Sequence, residues 1–146
     1  MARYSNGMAS TIVGTATLPV YGLLSTASVT PILRAVKVTN TTATACVYKL
    51  VNLTGGTPGA SQPERRHRRN APAAACDPRA GWTVAATIGE DLGYRFNLGA
   101  AVGAGEIETF GAEGLEGELG ATAAIGLLIV SGSPSTGPEV SFVWDE

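Results

Sequence analysis

Residues 32–53, ILRAVKVTNTTATACVYKLVNL, constrain the fold more than any other part of this 146-residue chain. Ile32, Arg34, Val36 and Val38 share one parity, and Cys46, Tyr48, Leu50 and Asn52 share another. A strand points successive side chains to opposite faces, so each run presents one face to a core and the other to solvent or a partner. Between the runs, Asn40-Thr41-Thr42-Ala43-Thr44 has turn chemistry, because Asn and Thr side chains hydrogen-bond their own backbone. The pattern predicts a long antiparallel hairpin in an all-β protein.

Alternation returns at Trp82, Val84, Ala86 and Ile88, at Tyr94, Phe96 and Leu98, and at Val140, Phe142 and Trp144. Residues 127–130 are apolar on both parities, as in a central strand buried on both faces. Residues 106–110 suggest a short strand, and residues 89–93 a turn or a single helical turn. No apolar stripe with a helical period appears. Short strands separated by Gly, Pro and Ser links predict a single antiparallel β-sandwich, jelly-roll-like, with a long basic loop. The expected inward side chains are Val36, Val38, Tyr48, Leu50, Trp82, Val84, Phe96, Leu128, Val130, Phe142 and Trp144.

Residues 1–28, with Gly7, Gly14, Pro19 and Gly22 among small polar residues, read as an extended N-terminal arm with one short strand near 11–17. The sandwich then occupies 29–146. Residues 54–81 hold four prolines and a basic run, which predicts a long loop inserted in it. Loops of that length are functional or disordered.

A chain of this length buries one core. Its charged fraction of 15% is low against a typical value of about 25%. A surface covered by neighbours accounts for that, and so does a modest core under a glycine-rich chain. Charge is also divided. Residues 1–76 hold eight Arg or Lys and one acid, whereas residues 77–146 hold two Arg and eleven acids. Such asymmetry is neutralised within one subunit or between neighbours in an assembly.

Arg65, Arg66, Arg68 and Arg69 form the one dense charge cluster. It reads as a solvated loop, as an electrostatic peg for an acidic protein surface, or as a phosphate binder. Nucleic acid is disfavoured, because no aromatics interleave the arginines for base stacking and the net charge is −2. Glu106, Glu108, Glu113, Glu116 and Glu118 make an acidic edge, the possible counter-surface, and such charge discourages edge-to-edge aggregation. His67 is the sole histidine and sits in the basic run, so no catalytic triad is indicated and no enzyme is expected. Neither His67 nor Cys46 and Cys76 has a metal-ligand spacing, so no metal and no cofactor are expected. A Cys46–Cys76 disulfide has no support from spacing. Gly103-Ala104-Gly105 lacks the third glycine of a dinucleotide fingerprint and reads as a turn. No stretch has the length of a membrane span or the pattern of a signal peptide, so neither membrane nor secretion is expected.

The runs LRAVKVTNTTATACVYKLVNLTGGTPG, GEDLGYRFNLGAAVGAGEIETFG and VSFVWDE resemble small virion-associated proteins of tailed bacteriophages. These proteins share a strand-turn-strand segment followed by a glycine-rich half, and resemble head decoration (cement) proteins or small tail components. The resemblance implies a virion protein assembled in the host cytoplasm. It would bind the major capsid protein or other virion proteins and self-associate, most simply as a trimer. The alternative is a tail- or fibre-associated module that recognises a host surface ligand. The arginine run is outside the resemblance.

Overall fold

Residues 1–146 are described by a computed structural model that contains thirteen β-strands and no helix. The first sheet runs in the order β10 (Gly105–Thr109), β3 (Ile32–Thr39), β13 (Glu139–Asp145), β1 (Arg3–Ala9) and β6 (Arg65–Arg66). Strand β11 (Leu115–Glu116) pairs with β3 beside β10. The second sheet runs β7 (Asp77–Arg79), β2 (Tyr21–Leu24), β12 (Ala123–Ser131), β4 (Cys46–Thr54) and β9 (Thr87–Leu98). A two-stranded ribbon joins β5 (Thr57–Pro58) to β8 (Trp82–Val84). All pairings are antiparallel.

The architecture is sandwich-like because both sheets contribute inward side chains to one core. Tyr4, Val36, Val38, Phe142 and Trp144 from the first sheet share it with Tyr21, Tyr48, Leu50, Phe96, Ile125 and Leu127 from the second. The Phe142 and Tyr21 rings meet edge-on at 4.6 Å across the two sheets. Trp144 is fully buried and stacks on Tyr4 of its own chain at 5.8 Å. A smaller cluster of Val51, Leu53, Trp82, Ala86, Ala124 and Leu128 covers the outer face of the second sheet. Gly22 and Gly126 face each other across β2 and β12 there, and the missing side chains make room for Trp82 and Leu53. The second sheet is therefore buried on both faces where β2, β12 and the later part of β4 meet, which is why residues 127 and 128 are apolar on both parities. The outer face of the first sheet has no such cover. Small residues, among them Ser5, Gly7, Ala35 and Ser141, lie along it at least partly open to solvent.

Several expectations are corrected. The two runs of residues 32–53 are strands, but they do not pair: β3 lies in the first sheet and β4 in the second. Their link is an arch between sheets. Asn40, 2% exposed, donates through Nδ2 to the carbonyls of Thr44 and Gly99, both at 2.8 Å. Its Oδ1 accepts from the Thr42 N–H at 3.0 Å and from Thr42 Oγ1 at 3.1 Å. Residues 1–28 are not an arm, since β1 and β2 are inner strands of their sheets, and no strand forms near 11–17. Residues 89–93 are neither turn nor helix. Strand β9 runs through them with irregular register against β4, and Gly93 takes a positive φ of 82°. Val84 and Val130 are 55% and 50% exposed, because each sits at a strand end beyond the covered part of its sheet.

Candidate functional site

The basic run is not an unanchored excursion. Arg65 and Arg66 form β6, paired with Ser5 and Tyr4 at one edge of the first sheet. Around it, the Tyr4 hydroxyl donates to the Pro72 carbonyl at 3.1 Å, and Asn6 Nδ2 donates to the Pro63 carbonyl at 2.8 Å. Asn6 Oδ1 in turn accepts from the buried Tyr21 hydroxyl at 2.7 Å, which ties the segment through β1 to the opposite sheet. Cys76 is 1% exposed and packs into the main core. The Glu146 carboxylate accepts from the Ala75 and Cys76 N–H groups at 2.7 and 2.9 Å. Three short strands, β5, β6 and β7, thus anchor at intervals what the sequence presents as one long loop.

The side chains of Arg65, Arg66, Arg68 and Arg69 all remain exposed. Arg66 Nη1 donates to the Ala71 carbonyl at 2.9 Å, but none of the four forms an ion pair within the chain. His67 is exposed beside them, and its backbone N–H continues the pairing to the Arg3 carbonyl at 2.9 Å.

The five glutamates gather at the other edge of the same sheet. Glu106 and Glu108 lie on β10, Glu116 on β11, and Glu113 and Glu118 flank β11. Glu106 and Glu108 stand opposite Val38 and Val36, so they share the inward parity at an open edge and are half-buried. Charges pointing inward on an edge strand oppose addition of a further strand. Glu106 accepts from the Asn97 N–H of β9 at 2.8 Å, and Glu116 accepts from Thr30 Oγ1 at 3.1 Å. The sequence groups these residues by their spacing, yet it does not reveal that β6 and β10 are opposite edges of one sheet.

Two adjoining hollows border the arginine edge. One, of about 590 Å³, lies between Met1, Tyr4, Arg68, Pro72 and Glu146. The other, of about 390 Å³, lies between Met1, Arg3, His67, Arg68 and Asp145. Asp145 closes the second. Its carboxylate receives Arg3 Nε at 2.7 Å and Nη2 at 2.9 Å, and Arg34 Nε at 2.7 Å, so three strands are clamped across the sheet. The hydrogen bonds from Arg3, followed by those from Arg34, hold this carboxyl below the usual carboxylate range despite its burial. Sequence reasoning missed the clamp, because its partners lie 142 and 111 residues apart in the chain.

Cys46 and Cys76 are both free and buried. Burial pushes both thiols up, which keeps them in the protonated, poorly nucleophilic form at neutral pH. No group of three or more His, Cys, Asp or Glu is placed to hold a metal ion. Comparison of the chain with protein-family models, curated proteins and solved structures gave no match.

Proposed function

We propose that this chain is a non-enzymatic structural protein of a tailed-bacteriophage virion, a jelly-roll sandwich that decorates the assembled head shell and stabilises it. The order of the eight strands of four or more residues carries this reading. Counted one to eight along the chain, they lie as 6-3-8-1 in the first sheet and 2-7-4-5 in the second. That alternation between sheets supports two interleaved Greek keys, the jelly roll of viral capsid and lectin domains. The step from architecture to role is an analogy of fold. It agrees with the resemblance of the strand segments to phage virion proteins, and with a first sheet whose outer face is partly open to solvent and whose edge charges form no ion pairs within the chain.

The partners in this proposal are the major capsid protein and further copies of the chain, arranged as trimers. Co-sedimentation tests it: the purified protein is mixed with assembled shells that lack it and, separately, with unassembled shell subunits. Saturable binding to shells and none to free subunits is expected. Absence of shell binding overturns the proposal. The hollow beside Tyr4 and Arg68 favours a second reading, a tail- or fibre-associated module for a host surface ligand. Saturable binding to host cells without shell binding would select it.

A further inference from the structure

The two edges of the first sheet carry opposite charge that forms no ion pair within the chain. Every ion pair is made by Arg3, Arg34, Lys49, Arg79 or Arg95 with Asp77, Asp91 or Asp145. Arg65, Arg66, Arg68 and Arg69 take part in none of them. Nor do Glu106, Glu108, Glu113, Glu116 and Glu118. The arginines of β6 and the glutamates of β10 stand at opposite edges of the sheet. Strands β1, β13 and β3 separate β6 from β10, so about four strand spacings, roughly 19 Å of sheet, lie between them.

We infer that the arginine edge of one copy docks against the glutamate edge of a second copy, head to tail. The contact goes beyond the virion proposal and does not depend on it. Charge complementarity selects the occupant: an edge rich in unpaired arginine and an edge rich in unpaired glutamate belong to the same molecule and face opposite ways. Side chains make the contact rather than main chain. Strand β6 is only two residues long, and the inward charges of Glu106 and Glu108 resist strand addition. A head-to-tail contact uses two different patches, so each added copy presents a fresh edge. It closes into a ring, such as a trimer, where the rotation between copies permits, and otherwise propagates.

The contact is weak by construction. An exposed ion pair changes an association constant by at most about fivefold. Copies therefore associate where a surface already holds them side by side, or at high concentration and low salt. Screening removes the attraction as the Debye length falls from about 30 Å at 0.01 M to about 8 Å at 0.15 M ionic strength.

Sedimentation of concentrated protein across that salt range is the test, with two charge-reversed variants. One carries Arg65→Glu, Arg68→Glu and Arg69→Glu, and the other Glu108→Lys, Glu113→Lys and Glu118→Lys. Arg66, Glu106 and Glu116 are left in place because they hold hydrogen bonds within the chain. Wild type should associate reversibly at about 0.01 M and loosen at least tenfold by about 0.15 M ionic strength. Each variant alone should stay monomeric, whereas an equimolar mixture of the two should associate. A chain carrying all the reversals should associate again. Wild type that stays monomeric throughout, or variants that associate like wild type, would overturn the inference. So would folded variants whose mixture stays monomeric. If a reversed variant does not fold, the Gln versions of the same residues replace it; a loss of at least threefold is then expected, and no loss counts against the contact.

Discussion

Replacing Asn40 probes the arch that sends β3 and β4 into different sheets. The side chain makes four hydrogen bonds in a site 2% exposed, two donated to carbonyls and two accepted from Thr42. Each is worth about 0.5–1.5 kcal/mol net, and removing one partner strands the other. Asn40→Ala should therefore cost about 2–4 kcal/mol. Asn40→Asp is the sharper variant. It keeps the oxygen that accepts from Thr42, but sets a carboxylate oxygen against the carbonyls of Thr44 and Gly99. Burial and the absent donor would raise the folded pKa of that carboxyl above its unfolded value of about 3.9. The penalty is thus absent below about pH 4 and grows by about 1.4 kcal/mol per pH unit until the folded pKa is passed. Urea unfolding of wild type and both variants at pH 7 and near pH 3.5 reads these differences. Asn40→Asp should approach wild type in acid, while the Asn40→Ala gap stays constant. An Asn40→Ala effect under about 0.5 kcal/mol, or a pH-independent Asn40→Asp gap, would refute the reasoning.

Other perturbations separate the parts of the fold. Asp145→Asn should lower stability by about 2 kcal/mol at pH 7. This is below the usual figure for a buried pair because the Arg3 side chain is 48% exposed. Since the folded pKa of Asp145 is depressed, wild type should hold this advantage above about pH 4 and lose it as pH falls through the folded value, checked by urea titration. Phe142→Ala in the main core and Leu128→Ala in the smaller cluster should each cost about 2–5 kcal/mol, read by the same titration. Gly22→Ala should cost about 1–3 kcal/mol, because a Cβ there would lie 2.5 Å from the Trp82 ring. Its near-ultraviolet circular dichroism should show Trp82 displaced.

Strand parity was legible wherever apolar and polar residues alternated, as at Val36, Val38, Tyr48, Leu50, Phe96 and Phe142, all buried. Pairing was not. The Asn and Thr chemistry of residues 40–44 serves a hairpin or an arch equally, and partners distant in sequence, such as the carbonyls of Gly99 and Gly137, distinguish them. Strand β1 was hidden because its inward set, Tyr4, Asn6 and Met8, includes a polar residue whose partners, Tyr21 and Pro63, are remote in sequence. Strand β2 was hidden by Gly22, whose bare backbone serves Trp82 rather than a turn. The charge division between the halves of the chain was plain. Its placement on opposite edges of one sheet follows from topology, which no local pattern encodes.

Copy number is the most direct measurement of the proposed role. If the chain is the proposed virion protein, quantitative mass spectrometry of the purified particles would give its ratio to the major shell protein. A decoration protein predicts a fixed, high ratio that tracks the shell subunit from one preparation to the next. Absence of the chain from the particles, or only a few copies in each, would contradict the account.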